Sequence, residues 1–226
     1  MKYQVIVSYD GTNYHGFQSQ INGVSIQDTI EKAFRLMTQT EIKIFGAGRT
    51  DKGVHAKGQV FHFESDLNIE ESSWMRVNDR LPSDIQILKI KKVKPDFHAR
   101  HSAKSKIYQY KIAKKPSTVF TCNQEVYIKN LNIDLIKEAI KDFIGTHDFK
   151  GFCQYVQGKP TVKTIYKAEV KETRTHYMFT FHGNHFLKYM VRSMMGTLIQ
   201  IGLQKKEPSV IQKILETKDR SLAGKT

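Results

Sequence analysis

Residues 2–9, Lys-Tyr-Gln-Val-Ile-Val-Ser-Tyr, place Tyr3, Val5, Val7 and Tyr9 on one face of an extended chain. An apolar residue at every second position is the pattern of a half-buried strand. Outward from this stretch the period changes. Ile26, Ile30, Ala33, Phe34 and Met37 fall on one helical stripe, opened by Ser25 as N-cap with Asp28 three residues later. Residues 41–46 and 59–64 read as strands, 70–80 as a weaker helix, and 85–93 as a strand ending before Pro95, which gives the order β-α-β-β-α-β. A second, similar run starts with a strand at 106–113, where Tyr108, Tyr110 and Ile112 share a face. Asn132 then caps a helix with Leu135, Ile136, Ala139, Ile140 and Phe143 inward. Strands at 162–171 and 177–183 follow, then a long apolar helix at 186–203 and a weaker one at 208–217. The strand that would complete this second run is missing. The expected fold class is α+β, with two βαββαβ-like halves, antiparallel-rich sheets and helices packed on one side. The N-terminal half, 1–104, carries a Gly-rich loop; the C-terminal half, 105–226, lacks its final strand.

Composition narrows the function classes. The 226 residues hold 36 Lys+Arg against 22 Asp+Glu, a net charge of +14, with 13 Phe, 10 Tyr and 1 Trp. That aromatic content excludes a disordered chain. No apolar run approaches the roughly 20 residues of a membrane span, and the N-terminus has no signal-peptide core. Cys122 and Cys153 are too few for a disulfide framework or a Cys-rich metal site, which points to a reducing, cytoplasmic setting. The charge is concentrated: between Lys89 and Lys115 lie ten Lys/Arg residues and one acid, Asp96. Phe97, Tyr108 and Tyr110 are interleaved with them, a mixture suited to phosphate neutralisation and base stacking.

The segment with most chemistry is Phe45-Gly46-Ala47-Gly48-Arg49-Thr50-Asp51-Lys52-Gly53-Val54-His55-Ala56-Lys57-Gly58. Its glycines allow a tight path that presents Arg49, Thr50 and Asp51 to a ligand. One acid among Arg49, Lys52, His55 and Lys57 is expected to stay ionised, as suits a nucleophile or fixed anion. A second oddity is Arg192, within the apolar stretch Phe186–Leu203, with Gly196 one turn later leaving room beside it. A guanidinium there needs a partner, and Asp51 is the candidate. Tyr108 is the third piece. Other patterns fall short. Gly224-Lys225-Thr226 lacks the first glycine of a phosphate loop, His62-Phe63-Glu64 lacks the paired cysteines of a zinc deaminase, and Lys57–Phe63 only loosely echoes an RNA-recognition signature. His182 and His185 lack a third metal ligand. No metal or organic cofactor is demanded.

Gly48-Arg49-Thr50-Asp51-Lys52-Gly53-Val54-His55-Ala56 resembles the signature loop of the tRNA pseudouridine synthase A family. Tyr9–Gln18, Asn78 with Leu81–Ile85, Phe97–Arg100 with Ser102-Ala103, Gly145–Phe149, and Phe186-Leu187 with Met190–Arg192 resemble its further motifs, in order. The resemblance implies a pseudouridine-synthase-like fold and isomerisation of uridines 38, 39 and/or 40 of the tRNA anticodon stem-loop. It implies Asp51 as catalytic aspartate, Arg192 as its pairing arginine, Tyr108 as active-site tyrosine and Arg49 as a holder of the flipped nucleotide. Lys52 and His55 flank these as substrate-binding candidates. It also implies a homodimer, with tRNA as partner and no cofactor. The chain departs from the family pattern at Lys52, where a small residue is usual, at Lys188-Tyr189, where Tyr-Asn is usual, and in its missing last strand. Two other readings compete: a non-catalytic basic RNA-binding or chaperone module, and a nuclease using Asp51 and His55.

Overall fold

The computed structural model describes residues 1–155 and 157–225, which form two compact units, Met1–Ala103 and Lys104–Thr226. The first contains β1 (Lys2–Tyr9), α1 (Ile26–Thr38), β2 (Ile44–Gly46), β3 (Ala56–Glu64), α2 (Glu71–Trp74, continued by a 3-10 turn over Met75–Arg80) and β4 (Ile85–Val93). The sheet runs β2-β3-β1-β4, antiparallel throughout. The alternation in β1 buries Tyr3, Val5, Val7 and Tyr9, and Val5 lies between Phe61 and Ile90 on the neighbouring strands. Ile26, Ile30 and Phe34 of α1 cover the same face, with Ser25 Oγ accepting the Asp28 N–H as expected of the cap. Trp74 is sealed among Tyr3, Phe34 and Phe63, with ring centroids 5.4, 5.9 and 5.0 Å away. Each such fully buried aromatic is worth about 2–3 kcal/mol.

Two motif segments have structural duties in this unit. The β1–β4 register shifts between Ile6 and Val7, and Asn78 repairs the ladder there. Its Nδ2 donates to Ile87 O (3.0 Å) and its Oδ1 accepts from Ile87 N–H (2.8 Å). Residues 97–102 are held by a run of rings. Phe45 stacks on His62 (5.1 Å), His62 meets His98 (4.6 Å), and His98 meets His101 (4.4 Å). The buried His62 accepts the Ala99 N–H through Nδ1 at 3.2 Å. Both His62 and His98 titrate below an ordinary histidine. Desolvation is the main cause for each, followed by charge repulsion from His98 and Lys2 on His62, and from His101, Lys2 and Arg100 on His98. The unfolded chain therefore takes up these protons more readily than the folded one. Their contribution to stability is complete above the unfolded value of 6.5 and is lost as pH falls through the folded-state values. Thermal melts from about pH 7.5 down to about pH 5 should show a falling midpoint, and a His62→Gln/His98→Gln variant a shallower fall. Equal slopes for the two proteins would remove the ring stack as the origin.

The basic stripe divides between the units. In the first, β4 is an edge strand, and Lys89, Lys91 and Lys92 stand exposed along it. Lysines on an edge oppose the addition of a foreign strand, so part of the stripe has a reason independent of any ligand. In the second unit Lys114 is paired with Glu172 at 2.6 Å.

The second unit contains β5 (Lys106–Ala113), β6 (Val126–Tyr127), α3 (Ile133–Ala139, continued by a 3-10 turn over Ile140–Phe143), β7 (Gly145–Asp148), β8 (Val162–Glu172), β9 (His176–Gly183), α4 (Met190–Gly202) and α5 (Val210–Thr217). Its sheet is ordered β6-β5-β9-β8-β7, antiparallel except for β5 with β6. Phe143, Phe149, Phe152, Phe179, Phe181 and the Met190–Ile201 face of α4 fill its core. The structure departs from expectation in several places. The expected 70–80 helix is one α-turn followed by a 3-10 turn, and β6 and β7 were not anticipated. The long helix begins at Met190 rather than at 186, because Tyr189 before it is left-handed (φ 62°). The room expected beside Gly196 is filled by backbone. A Cβ on Gly196 would lie 2.1 Å from Lys225 O, and Gly224 N–H donates to Thr197 Oγ1 at 2.8 Å.

Candidate active site

The Gly-rich loop runs from Ala47, whose N–H donates to Val60 O (2.7 Å), to the start of β3 at Ala56. It is fastened to residues 9–17, a segment that also carries glycines, Gly11 and Gly16. Phe17 N–H donates to Thr50 O (3.2 Å), Gly53 N–H to Tyr14 O (3.3 Å), and the Tyr9 and Thr50 hydroxyls share a hydrogen bond of 2.9 Å. Gly16 sits at φ 92° with room for no side chain, since a Cβ there would meet Thr50 O at 2.5 Å. Asp51–Val54 closes a turn, Val54 N–H to Asp51 O at 3.2 Å, with Gly53 at φ 77° in its third position as a type II turn requires. Asp51 is half-buried on this rigid turn, between the exposed side chains of Arg49 and Lys52.

His55 faces the 10–11 turn. Its Nδ1 lies 3.1 Å from Gly11 N and 3.0 Å from Asp10 Oδ1. The first contact uses a lone pair and the second a proton, so the ring has a local partner in either protonation state. Asp10 Oδ1 also receives the Thr12 N–H and hydroxyl at 2.9 and 2.5 Å. Tyr14 donates to Asp84 Oδ1 (2.7 Å), and burial, then that hydrogen bond, pushes its phenol well above the ordinary value. Tyr9, Tyr14 and Asp84 thus support the loop. In sequence they lay inside the quoted motifs, and no periodicity marked what they hold.

Tyr108 and Arg192 belong to the second unit. Tyr108 is half-buried on β5 and meets Phe186 edge-to-face at 4.9 Å. Arg192, in the first turn of α4, places its guanidinium carbon 5.0 Å from the Tyr189 ring centroid, and Lys188 Nζ lies 5.0 Å from the same ring. A cation over a tyrosine face gains about 0.5–2 kcal/mol. Phe186 and Tyr189 lay within or beside a quoted motif, but sequence reasoning assigned neither ring a role, because a helix beginning at 186 gives them no distinct direction. Among the described residues no group of three or more His, Cys, Asp and Glu is arranged to hold a metal, and no helix is long and apolar enough to cross a membrane. His182, one of the pair weighed as metal ligands, packs against Tyr166 at 5.3 Å.

A family model described as tRNA pseudouridine synthase matches residues 5–102 and 139–226. Among curated relatives, the tRNA pseudouridine synthase A of Onion yellows phytoplasma (strain OY-M) is 45% identical over 204 residues, covering 90% of this chain and 84% of that protein. Its counterpart in Phytoplasma mali (strain AT) is 44% identical over 218 residues, covering 96% and 89%. That of Streptococcus uberis (strain ATCC BAA-854 / 0140J) is 41% identical over 234 residues, covering 100% and 93%. Identity of this level along nearly the whole chain is not a matter of one motif, and the chain belongs to the tRNA pseudouridine synthase family, isomerases that convert uridine to pseudouridine in tRNA.

Proposed function

We propose that Asp51 is the carboxylate that acts on the target uridine, with Arg192 as its counter-charge and Tyr108 as the ring that stacks on the uracil. Arg49, with Lys52 and His55 nearby, holds the extruded nucleotide. The targets are uridines 38, 39 and/or 40 of the anticodon stem-loop, and the working form is a cytoplasmic homodimer on which one tRNA spans both subunits. The observation that carries this reading is the fastening of the loop around Asp51. The Thr50 carbonyl and hydroxyl are tied to Phe17 and Tyr9, and the next turn to Tyr14, which holds a half-exposed carboxylate in one place.

The reaction breaks the bond from ribose C1′ to N1 and forms one from C1′ to C5. C5 loses a proton and N1 gains one, so the sum is an isomerisation that consumes no co-reactant. The base must leave its stack, turn and be held meanwhile. The Asp51 carboxylate starts this exchange as nucleophile or base, with Arg192 as its counter-charge. Incubation with a tRNA bearing uridines at 38–40, followed by digestion to nucleosides, tests the assignment. Pseudouridine should accumulate at one or more of these positions in RNA of unchanged length. Shortened RNA would favour the nuclease reading, to which the engagement of His55 by Asp10 and Gly11 is ill suited. Bound but unmodified RNA would favour the chaperone.

A further inference from the structure

The second unit contains a cleft of about 420 Å³ lined by Lys150, Tyr155, Tyr189, Lys218 and Arg220, with the buried Cys153 among its walls. Its volume lies within the range of small-ligand sites. Among the described residues, three cations and no acid line it. Lys218 is partly offset by Asp148 just behind, at 2.9 Å. Lys150 is exposed, with Nζ 4.6 Å from the Tyr155 ring centroid. Arg220 is half-buried, and its bond to Gly224 O is long at 3.5 Å. Each of these two can turn charged donors toward an anion at little cost.

The second tyrosine is the informative one. Among the described residues, the non-glycine ones with positive φ are Gln39, Asn130, Tyr189, Gln204 and Lys218. Gln39 and Lys218 close helices and Gln204 lies just past one, places where a left-handed residue satisfies the last carbonyls. Tyr189 is left-handed at a helix start and gives that start no side-chain cap. An aromatic residue there is held in a sparsely populated backbone conformation. What the conformation achieves is placement: one ring lines the cleft and also carries the Arg192 guanidinium.

We propose that this cleft binds a tRNA nucleotide next to the target uridine, its phosphate on Lys150 and Arg220 and its base against Tyr155 and Tyr189. Cations alone would suit any anion; cations beside two tyrosine faces suit a phosphodiester joined to an unstacked base. The assignment of the nucleotide as a neighbour of the target rests on Arg192 belonging to the active site.

The test measures tRNA affinity against salt in full-length protein carrying Asp51→Ala, so that turnover does not enter. Lys150→Ala/Arg220→Ala should weaken binding about ten-fold and make the log Kd–log salt slope shallower by about one, the signature of a lost phosphate contact. Tyr155→Ala should also weaken binding, about ten-fold, but with the parent slope, as expected for lost stacking, and Tyr155→Phe should restore it. In protein with Asp51 intact, Lys150→Ala alone should raise KM for tRNA several-fold with little change in kcat. Parent affinity and slope in both the cation pair and Tyr155→Ala would overturn the proposal, and would leave the role of Asp51 standing. Were Arg220→Ala to lower the melting temperature, Lys150→Ala and Tyr155→Ala, both at exposed positions, decide the matter by the same measurements. Activity surviving Asp51→Ala would overturn the catalytic reading while the binding data still judged the cleft.

Discussion

Asp51→Ala protein forms pseudouridine at least about 10³-fold more slowly than the parent and binds tRNA within a few-fold of it. The size of the loss follows from what remains. The loop is fastened through the backbone of Thr50, Gly53, Phe17 and Tyr14 and the Tyr9–Thr50 hydroxyl pair. These bonds are made by other groups, so the loop keeps them when Asp51 is truncated. Binding rests on phosphate neutralisation, and removing a negative charge beside the RNA favours association if it changes it at all. Asp51→Asn separates charge from shape: it keeps the size and a hydrogen-bonding oxygen and should be nearly as inactive. Release of the C5 hydrogen from labelled tRNA, with affinity measured in parallel, gives both numbers. Near-parental turnover by either variant ends the case for Asp51.

Gly196→Ala should be among the most damaging single methyls in the second unit. The added Cβ would sit 2.1 Å from Lys225 O and 3.1 Å from its carbonyl carbon, and the facing residue is Gly224, whose own Cβ position lies 2.1 Å from Gly196 C. Backbone meets backbone, so no rotamer change relieves the contact. The two segments are tied by Gly224 N–H to Thr197 Oγ1, itself bonded to Ser193 O at 2.9 Å. Separation therefore also costs a buried hydrogen bond. Overpacking of this kind costs about 3 kcal/mol, which for a protein of this size lowers the melting temperature by roughly 10 °C. Alanine has the higher helix propensity, so a simple helix argument gives the opposite sign. A midpoint at or above the parent's would show that residues 224–225 do not cross α4 at this point.

The two signs differ because one comes from local preference and the other from a long-range crossing, and the same division governs what was legible in the sequence. β1 and α1 were readable because their periods are strict and Ser25 punctuates the helix. The start of α4 was not. Phe186, Leu187, Met190 and Val191 are all apolar and contain no stop signal, so the left-handed Tyr189 between them leaves no compositional trace. β6 is two residues long, and β7, Gly-Thr-His-Asp, has no alternation to detect. At the candidate site, the loop and Arg192 stood out as anomalies, a lone acid among cations and a lone cation among apolar residues. Their supports did not, because backbone groups, a hydroxyl pair and a ring under a guanidinium do the holding. Asn78 and residues 97–102 belonged to quoted motifs yet serve the first unit as a ladder repair and a ring stack. A motif therefore marks a constrained position without saying whether chemistry or architecture constrains it.

The place of β4 at the end of its sheet has a consequence for handling the protein. Repulsion between Lys89, Lys91 and Lys92 and the same lysines of a second copy helps to guard that margin. The same ions that loosen a phosphate from lysine also shorten the reach of this repulsion, from about 10 Å at 0.1 M to about 3 Å at 1 M. Buffers strong enough to strip nucleic acid from the protein thus also weaken this protection against self-association.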